Sequence, residues 1–224
     1  DFIAQVVDLA RRRSLYLIMD DTYNRLVFDG RPPVNCYDFA PEDIEESKLV
    51  VINCVSKMYA MTGFRIGWAV GCRELIQTMA TIQSQQTSGP ATPSQWAAAG
   101  ALNGLQNSIE ALRLTLENTR NILMDQLSAF PGLRVTRPDG AFYCFPDFSH
   151  YEKNSQKLAE FLLQKVRVVT VPGREFGMEG HLRLSFCGTA KEITQGIERI
   201  RWALDPTARN ELYLGDRRLG RDWM

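Results

Sequence analysis

Three short, nearly unbroken apolar runs constrain this chain more than any other feature: Leu15 to Met19, Leu49 to Val55 and Ile66 to Val70. Runs of this length suit strands buried on both faces, which points to an α/β sheet. Only about ten residues separate the second run from the third. A parallel crossover needs a dozen or more, usually with a helix. The third strand is therefore expected to run antiparallel to its predecessors if they share a sheet. Asp20 and Lys57 then fall at the C-terminal ends of parallel strands, the edge at which open α/β sheets bind ligands. Arg65 precedes the antiparallel strand and falls at the same edge, so three chemically useful side chains converge on one crevice from topology alone.

The rest of the chain divides by pattern. Phe2, Ile3, Val6, Val7, Leu9 and Ala10 have helical spacing, closed by Arg11, Arg12 and Arg13. Asn24 to Pro33 reads as loop, and Arg73 to Gln86 as a helix broken at Thr87-Ser88-Gly89-Pro90. Thr92-Pro93-Ser94-Gln95 reads as a helix start, with Thr92 at the cap and Gln95 closing a capping box. A long amphipathic stretch runs from about Ile109 to Leu127. The composition then changes. Leu133 to Arg137 and Ala141 to Phe145, around Pro138-Asp139-Gly140, read as a hairpin. Gln156 to Lys165 is expected to be helical, Val166 to Val171 and Leu182 to Phe186 to be strands. Thr189-Ala190-Lys191-Glu192 is a capping box opening a helix to about Leu204. Asp205 to Met224 reads as a polar surface tail or loose helix.

Composition excludes several function classes. The 224 residues carry a formal net charge of zero, which offers no electrostatic footprint for nucleic acid or an anionic membrane. No apolar run approaches a membrane span, and the first residues lack the pattern of a signal peptide. The five cysteines (Cys36, Cys54, Cys72, Cys144 and Cys187) are scattered without metal-ligand spacing. Reduced thiols in a cytoplasmic protein fit them best. His150 and His181 are too few and too far apart to indicate a metal site.

The segment from Asn53 to Gly67 carries the chemistry. A lysine just past a buried strand, with Arg65 eight residues on and Gly63 and Gly67 on either side of it, suggests a phosphate-bearing aldehyde cofactor. The lysine supplies an amine for a Schiff base, and the arginine a rigid fork of donors for the phosphate. A lone lysine beside a turn is more often a surface residue; the arginine and glycines at these spacings argue otherwise. Asp20 and Asp21 compete as the acidic group of the crevice on chemistry alone. Arg183 lies on an alternating strand, with Leu182, Leu184 and Phe186 on one face and Arg183 and Ser185 on the other, a pattern that by itself describes an exposed residue.

Four segments, in order and at fitting separations, bear a family likeness: Asp20-Asp21-Thr22-Tyr23, Ser56-Lys57 through Gly67, Pro138-Asp139-Gly140-Ala141-Phe142-Tyr143, and Pro172-Gly173 through Phe176-Gly177 followed by Arg183-Leu184-Ser185-Phe186. Up to about Pro206 the chain resembles the pyridoxal-phosphate aminotransferases of the aspartate aminotransferase superfamily, fold type I, classes I and II. The resemblance implies a partial mixed sheet with helices over residues 1–107, a smaller α+β domain over 108–206 led by a linking helix at about 108–128, and a polar tail over 207–224. It implies pyridoxal 5'-phosphate as cofactor and Lys57 as the catalytic Schiff-base lysine. Asp20 would face the pyridine nitrogen, Tyr23 the ring oxygen, and Arg65 the phosphate. Arg183 would hold the α-carboxylate of an amino acid or 2-oxo acid substrate. Cys54 stands where the family usually carries a phosphate-binding serine, so either phosphate binding is weakened or Ser56 substitutes.

The family also carries a long N-terminal part that cannot be placed ahead of Asp20. The chain is therefore expected to be an incomplete piece of a homodimeric aminotransferase, binding the cofactor poorly and inactive when alone. Two other readings stay open: a lyase or decarboxylase on the same fold, and a non-catalytic effector domain of a transcription regulator.

Overall fold

The computed structural model describes residues 2–214 and 217–223. Two units divide the chain, the first ending at Arg113 and the second beginning at Leu114. In the first unit, helix α1 (Phe2–Arg12) buries Val7 and Ala10, three positions apart on one face, and ends in Arg11 and Arg12, which suit the negative end of its dipole. Strand β1 (Leu17–Asp20) runs parallel to β2 (Leu49–Cys54), with Asp20 opposite Ile52. Strand β3 (Gly67–Val70) runs antiparallel to β2, with Cys54 opposite Gly67. The sheet order is β1-β2-β3, and the reversal is the one that the short connection demands. The Tyr37 hydroxyl lies 2.8 Å from the carbonyl oxygen of Leu49 and 3.0 Å from that of Val70, so its proton can serve either and pins the far end of the β2–β3 pair.

Helices α2 (Arg73–Thr87) and α3 (Thr92–Asn103) follow. Ala91 rather than Thr92 caps α3, because Thr92 is already helical, and Gln95 donates its side-chain amide to the Pro90 carbonyl at 2.9 Å instead of closing a capping box. Several large apolar side chains here face solvent, among them Ile82, Trp96 and Leu105. Helix α4 (Asn107–Ser128) runs across the boundary between the units.

The second unit has a core of α4, α5 (Ser155–Val166), α6 (Ala190–Leu204) and a small sheet. Its strands are β4 (Tyr143–Cys144), β5 (Val171–Pro172) and β6 (Leu182–Ser185), in the order β4-β6-β5 with both pairings antiparallel. Leu116, Leu123, Leu158, Leu162, Leu182 and Ile200 are among the side chains it buries. The expected capping box of α6 is present, with Glu192 accepting from Thr189 N at 2.8 Å and Thr189 Oγ1 accepting from Glu192 N at 3.2 Å.

Three local expectations are corrected here. The hairpin over 133–145 is not a ladder: Arg134 bridges to Asp147, and Tyr143 and Cys144 pair with β6. The reason lies in α4, where the fully buried Arg120 donates to the Pro138 carbonyl at 2.9 Å and so anchors the turn to a helix. The strand expected over 166–171 shrinks to Val171–Pro172, because Val166 ends α5 and Arg167 turns left-handed (φ 56°) to cap it. The segment beyond α6 is a hairpin of β7 (Glu211–Leu214) and β8 (Arg217–Gly220), not a loose tail or helix. It is fastened by Trp202, whose indole N–H donates to the Arg209 carbonyl at 2.7 Å, and by Trp223, whose ring meets those of Phe161 and Trp202 edge-on.

Two tests follow from this packing. A Cβ at Gly67 would lie 3.0 Å from the Asn53 carbonyl oxygen and 3.3 Å from Cys54 Cβ, whereas Gly63 faces open space. Gly67→Ala should therefore cost about 1–3 kcal/mol in urea unfolding, and Gly63→Ala should stay within about 0.5 kcal/mol of the wild type. The Asp147 carboxyl, bonded to Ser149 and to Arg134 at 2.6 Å, is held down to about 2 by those hydrogen bonds, chiefly the Ser149 ones. Its folded-state value lies below its unfolded one, so its contribution is full at neutral pH and is lost as pH falls through about 2. Asp147→Asn should lower thermal stability at neutral pH, and the gap to wild type should close on acidification through that range.

Candidate functional site

The C-terminal edge of the β1–β2–β3 sheet gathers most of the sequence-derived candidates. Asp20 ends β1 at that edge and is exposed, its Oδ1 3.4 Å from the backbone N–H of Thr22. Asp21 continues the ladder, donating its N–H to the Ile52 carbonyl at 2.8 Å, and its side chain is half-buried. Burial pushes the Asp21 carboxyl up, the hydrogen bond with Asn24 opposes this, and the neighbouring Asp20 adds to it. The two aspartates thus differ physically: Asp20 presents a carboxylate at the open edge, and Asp21 faces inward and is buttressed.

Tyr23 follows in a turn that Leu26, fully buried, closes by donating its N–H to the Tyr23 carbonyl at 2.8 Å. This turn brings the Tyr23 ring under Lys57, whose Nζ stands 5.9 Å from the ring centroid. Lys57 is half-buried, one residue past the buried Ser56 and two past the fully buried Val55. Val55 N–H donates to the Ile66 carbonyl at 3.2 Å, so the segment carrying Lys57 is a loop tied at both ends. Val55, Ile66 and Ala98 form a buried cluster against which Tyr59, Met61 and Trp68 pack.

Arg65 leaves a short 3₁₀ turn (Thr62–Phe64) in the left-handed conformation, φ 57°. A non-glycine residue there costs roughly 1–2 kcal/mol. Its side chain is exposed, with Nη1 donating to the Thr62 carbonyl at 2.8 Å. The guanidinium thus folds over its own turn at the edge where β3 begins. Cys54, half-buried, sits opposite Gly67, and the close approach there leaves no room for a side chain at 67. Tyr59 is not a free group at the site: its hydroxyl donates to Gln106 Oε1 at 2.7 Å, and Gln106 in turn donates to the Gly104 carbonyl at the end of α3.

Arg183 lies in the second unit, on β6 opposite Val171. It is half-buried, and among the described residues none pairs with its side chain in a hydrogen bond or ion pair. What surrounds it is aromatic, with its Cζ 4.6 Å from the Tyr143 ring centroid and 4.8 Å from that of Phe176. Contacts of this kind contribute about 0.5–2 kcal/mol each. The sequence reading assigned these two rings no role. Tyr143 pairs with Ser185, which shares a strand face with Arg183, a pairing between distant segments that sequence pattern does not record. Next to Tyr143, Cys144 is buried and its thiol is pushed up to about 12 by desolvation, which keeps it unreactive.

The chemistry of the first set is specific. It offers one amine, one phenol, one exposed carboxylate and one guanidinium at a single sheet edge, with a close backbone approach at Gly67. These donors and acceptors fit a planar, phosphorylated aromatic aldehyde such as pyridoxal phosphate. Among the described residues no cluster of three or more His, Cys, Asp or Glu side chains could hold a metal ion.

Known proteins supply an independent comparison. The chain is 34% identical over 203 residues to an aspartate aminotransferase of Bacillus sp. (strain YM-2), covering 88% of this chain and 51% of that protein. It is 35% identical to a probable aspartate/prephenate aminotransferase of Aquifex aeolicus, covering 91% and 52%. Thermus thermophilus aspartate aminotransferase with maleate superposes with a TM-score of 0.81 at 34% identity, over 90% of this chain and 52% of that one. An aromatic aminotransferase from Pyrococcus horikoshii superposes at 0.82 with 28% identity, over 88% and 53%. The chain thus spans about half the length of the relatives it matches. Residues 1–200 match the family described as aminotransferase class I and II, and the chain belongs to that family.

Proposed function

We propose that the whole protein transfers an amino group between an amino acid and a 2-oxo acid with pyridoxal 5'-phosphate as cofactor. The observation that carries this reading is the placement of the Lys57 amine over the Tyr23 ring, at the sheet edge that also bears Asp20 and Arg65. When bound, the cofactor supplies an electron sink beside the substrate Cα. Asp20 holds the ring nitrogen in its protonated form, its exposure at the strand end leaving the carboxylate free to approach. Tyr23 donates to the ring oxygen and orients the ring. Arg65 binds the phosphate, aided by the Ser56 hydroxyl; Cys54 contributes a thiol, a weak donor, at this end of β2.

Lys57 would hold the cofactor through its aldehyde and would serve as the proton carrier at the substrate Cα. Arg183 binds the substrate α-carboxylate, and that no acidic side chain among the described residues pairs with it supports that role. The names of the relatives make L-aspartate the first donor to test. We further propose a homodimer in the cytoplasm. The five free cysteines suit a reducing compartment, and among the described residues no helix is long and apolar enough to cross a membrane.

In a coupled assay of the whole protein, 2-oxo acid should appear in step with the new amino acid. Release of ammonia or carbon dioxide instead would support a lyase or decarboxylase. Lys57→Ala should lower the rate roughly 10³-fold or more, because one side chain serves as anchor and proton carrier. Arg183→Lys should raise KM by about tenfold to a hundredfold with a smaller change in kcat, since a point charge replaces a bidentate fork. The 224-residue chain alone should leave the absorption spectrum of stoichiometric pyridoxal phosphate as it is for the free compound. A full shift to the spectrum of the lysine-linked form would show that the segment is self-sufficient.

A further inference from the structure

The Arg183 guanidinium stands over two aromatic rings, those of Tyr143 and Phe176. β6 is the middle strand of its sheet, with β4 on one side and β5 on the other. Tyr143 comes from β4, and Phe176 from the 3₁₀ turn (Gly173–Phe176) that directly follows β5. The two rings therefore reach Arg183 from the two flanking strands, at 4.6 and 4.8 Å from Cζ.

Each ring also packs against a neighbouring ring. Tyr143 sits in the ladder opposite Ser185 and against the Phe142 ring at 4.5 Å. Phe176 packs edge-on against Phe145 at 5.7 Å. Its turn is tied down at both ends. Gly173 donates its N–H to the His181 carbonyl at 2.7 Å, and a Cβ there would run into the carbonyl oxygens of Met178 and His181. Gly177 then closes the turn in the left-handed conformation, φ 75°.

A guanidinium covered on its faces keeps its N–H groups only in its own plane. A carboxylate is planar and can lie in that plane, accepting two parallel hydrogen bonds. A phosphonate is tetrahedral: with two oxygens in the plane, the third and the carbon substituent project above and below it, where the rings stand. Resting on the reading of Arg183 as the carboxylate-binding residue, we propose that Tyr143 and Phe176 are positioning residues that make this site selective for planar carboxylates over tetrahedral oxyanions of equal charge. The substrate class it rejects is the aminophosphonates, and the selectivity comes from shape rather than from charge.

The test uses the full chain, with the guanidino N–H of Arg183 observed by NMR and assigned by its loss in Arg183→Lys. Propionate and ethylphosphonate are titrated in mildly acidic buffer, where both are monoanions. Propionate should shift the Arg183 signal with a Kd about tenfold below that of ethylphosphonate, a difference of about 1.4 kcal/mol. Phe176→Leu and Tyr143→Leu should each shrink that ratio towards unity, whereas Tyr143→Phe, which keeps the ring, should preserve it. Equal binding of the two anions by the wild-type chain overturns the clamp and leaves the role of Arg183 standing. A ratio unchanged in both leucine variants also overturns the clamp. No response of Arg183 to propionate overturns both the clamp and the assignment of Arg183.

Discussion

The hydrogen bond from Val55 N–H to the Ile66 carbonyl is the constraint on which the first unit depends. It begins the pairing of β2 with β3 and closes the loop that carries Ser56, Lys57 and Arg65. Closing so short a loop costs little entropy, but the loop must still be held in one shape. Val55 and Ile66 supply the hold by burying their side chains with Ala98 of α3, at roughly 1.5–3 kcal/mol for each large apolar group. The Tyr59 hydroxyl, bonded to Gln106, fastens the middle of the loop to the end of the same helix. The proposed catalytic lysine therefore stands on a loop by connectivity but on the core by energetics. A reactive amine has to be presented at one position, and a segment anchored at both ends and in the middle presents it so.

Much of this was legible in the sequence, for identifiable reasons. The apolar runs located β1, β2 and β3 to within about two residues, and the length of the β2–β3 connection dictated its reversal. The Thr189–Glu192 spacing located the start of α6, because a capping box is a local motif with one geometric solution. The misreadings share a cause as well. Arg120 seizes the Pro138 carbonyl from eighteen positions away, and Gln95 takes the Pro90 carbonyl in place of a cap; each is a choice between competing partners that periodicity does not record. The terminal hairpin escaped because its strands are charged, and what fastens it is a pair of tryptophans. For the candidate site, pattern placed Asp20, Lys57 and Arg65 at one edge, and the family resemblance added Tyr23. It did not disclose that Arg65 bonds back to its own turn, that Tyr59 is committed to Gln106, or that two rings surround Arg183.

Asp20 and Asp21 show how structure separates neighbours that composition leaves equal. Consecutive positions at a strand end point to opposite sides, so one carboxyl must face the open edge and the other the protein. The inward one, Asp21, is pushed up by burial and held by Asn24, which makes it a structural acid. The exposed one, Asp20, is left facing solvent at the sheet edge. Cys54 belongs to the same edge and shows the limit of such sorting. Its Cβ helps to exclude a side chain at position 67, so it has a packing role whatever its thiol does, and a serine there would meet that steric requirement equally well.

The arginines of the second unit divide along the same physical line. Arg120 is fully buried and spends its donors on the Pro138 carbonyl and the Asn121 side chain, with Glu117 at 3.7 Å. Arg199 takes the carbonyls of Val166 and Arg167 at the end of α5, and Arg134 pairs with Asp147. Each of these charges is matched by an acceptor, as a structural cation must be. Arg183 is held instead by aromatic faces. A ring attracts a guanidinium through its quadrupole but neither neutralises the charge nor occupies an N–H. An acidic partner would hold the side chain more tightly and abolish its capacity to bind an anion. Fixing an arginine in place while leaving its hydrogen-bonding edge unspent requires a partner that attracts cations without accepting conventional hydrogen bonds, and among the side chains only the aromatic ones meet that description.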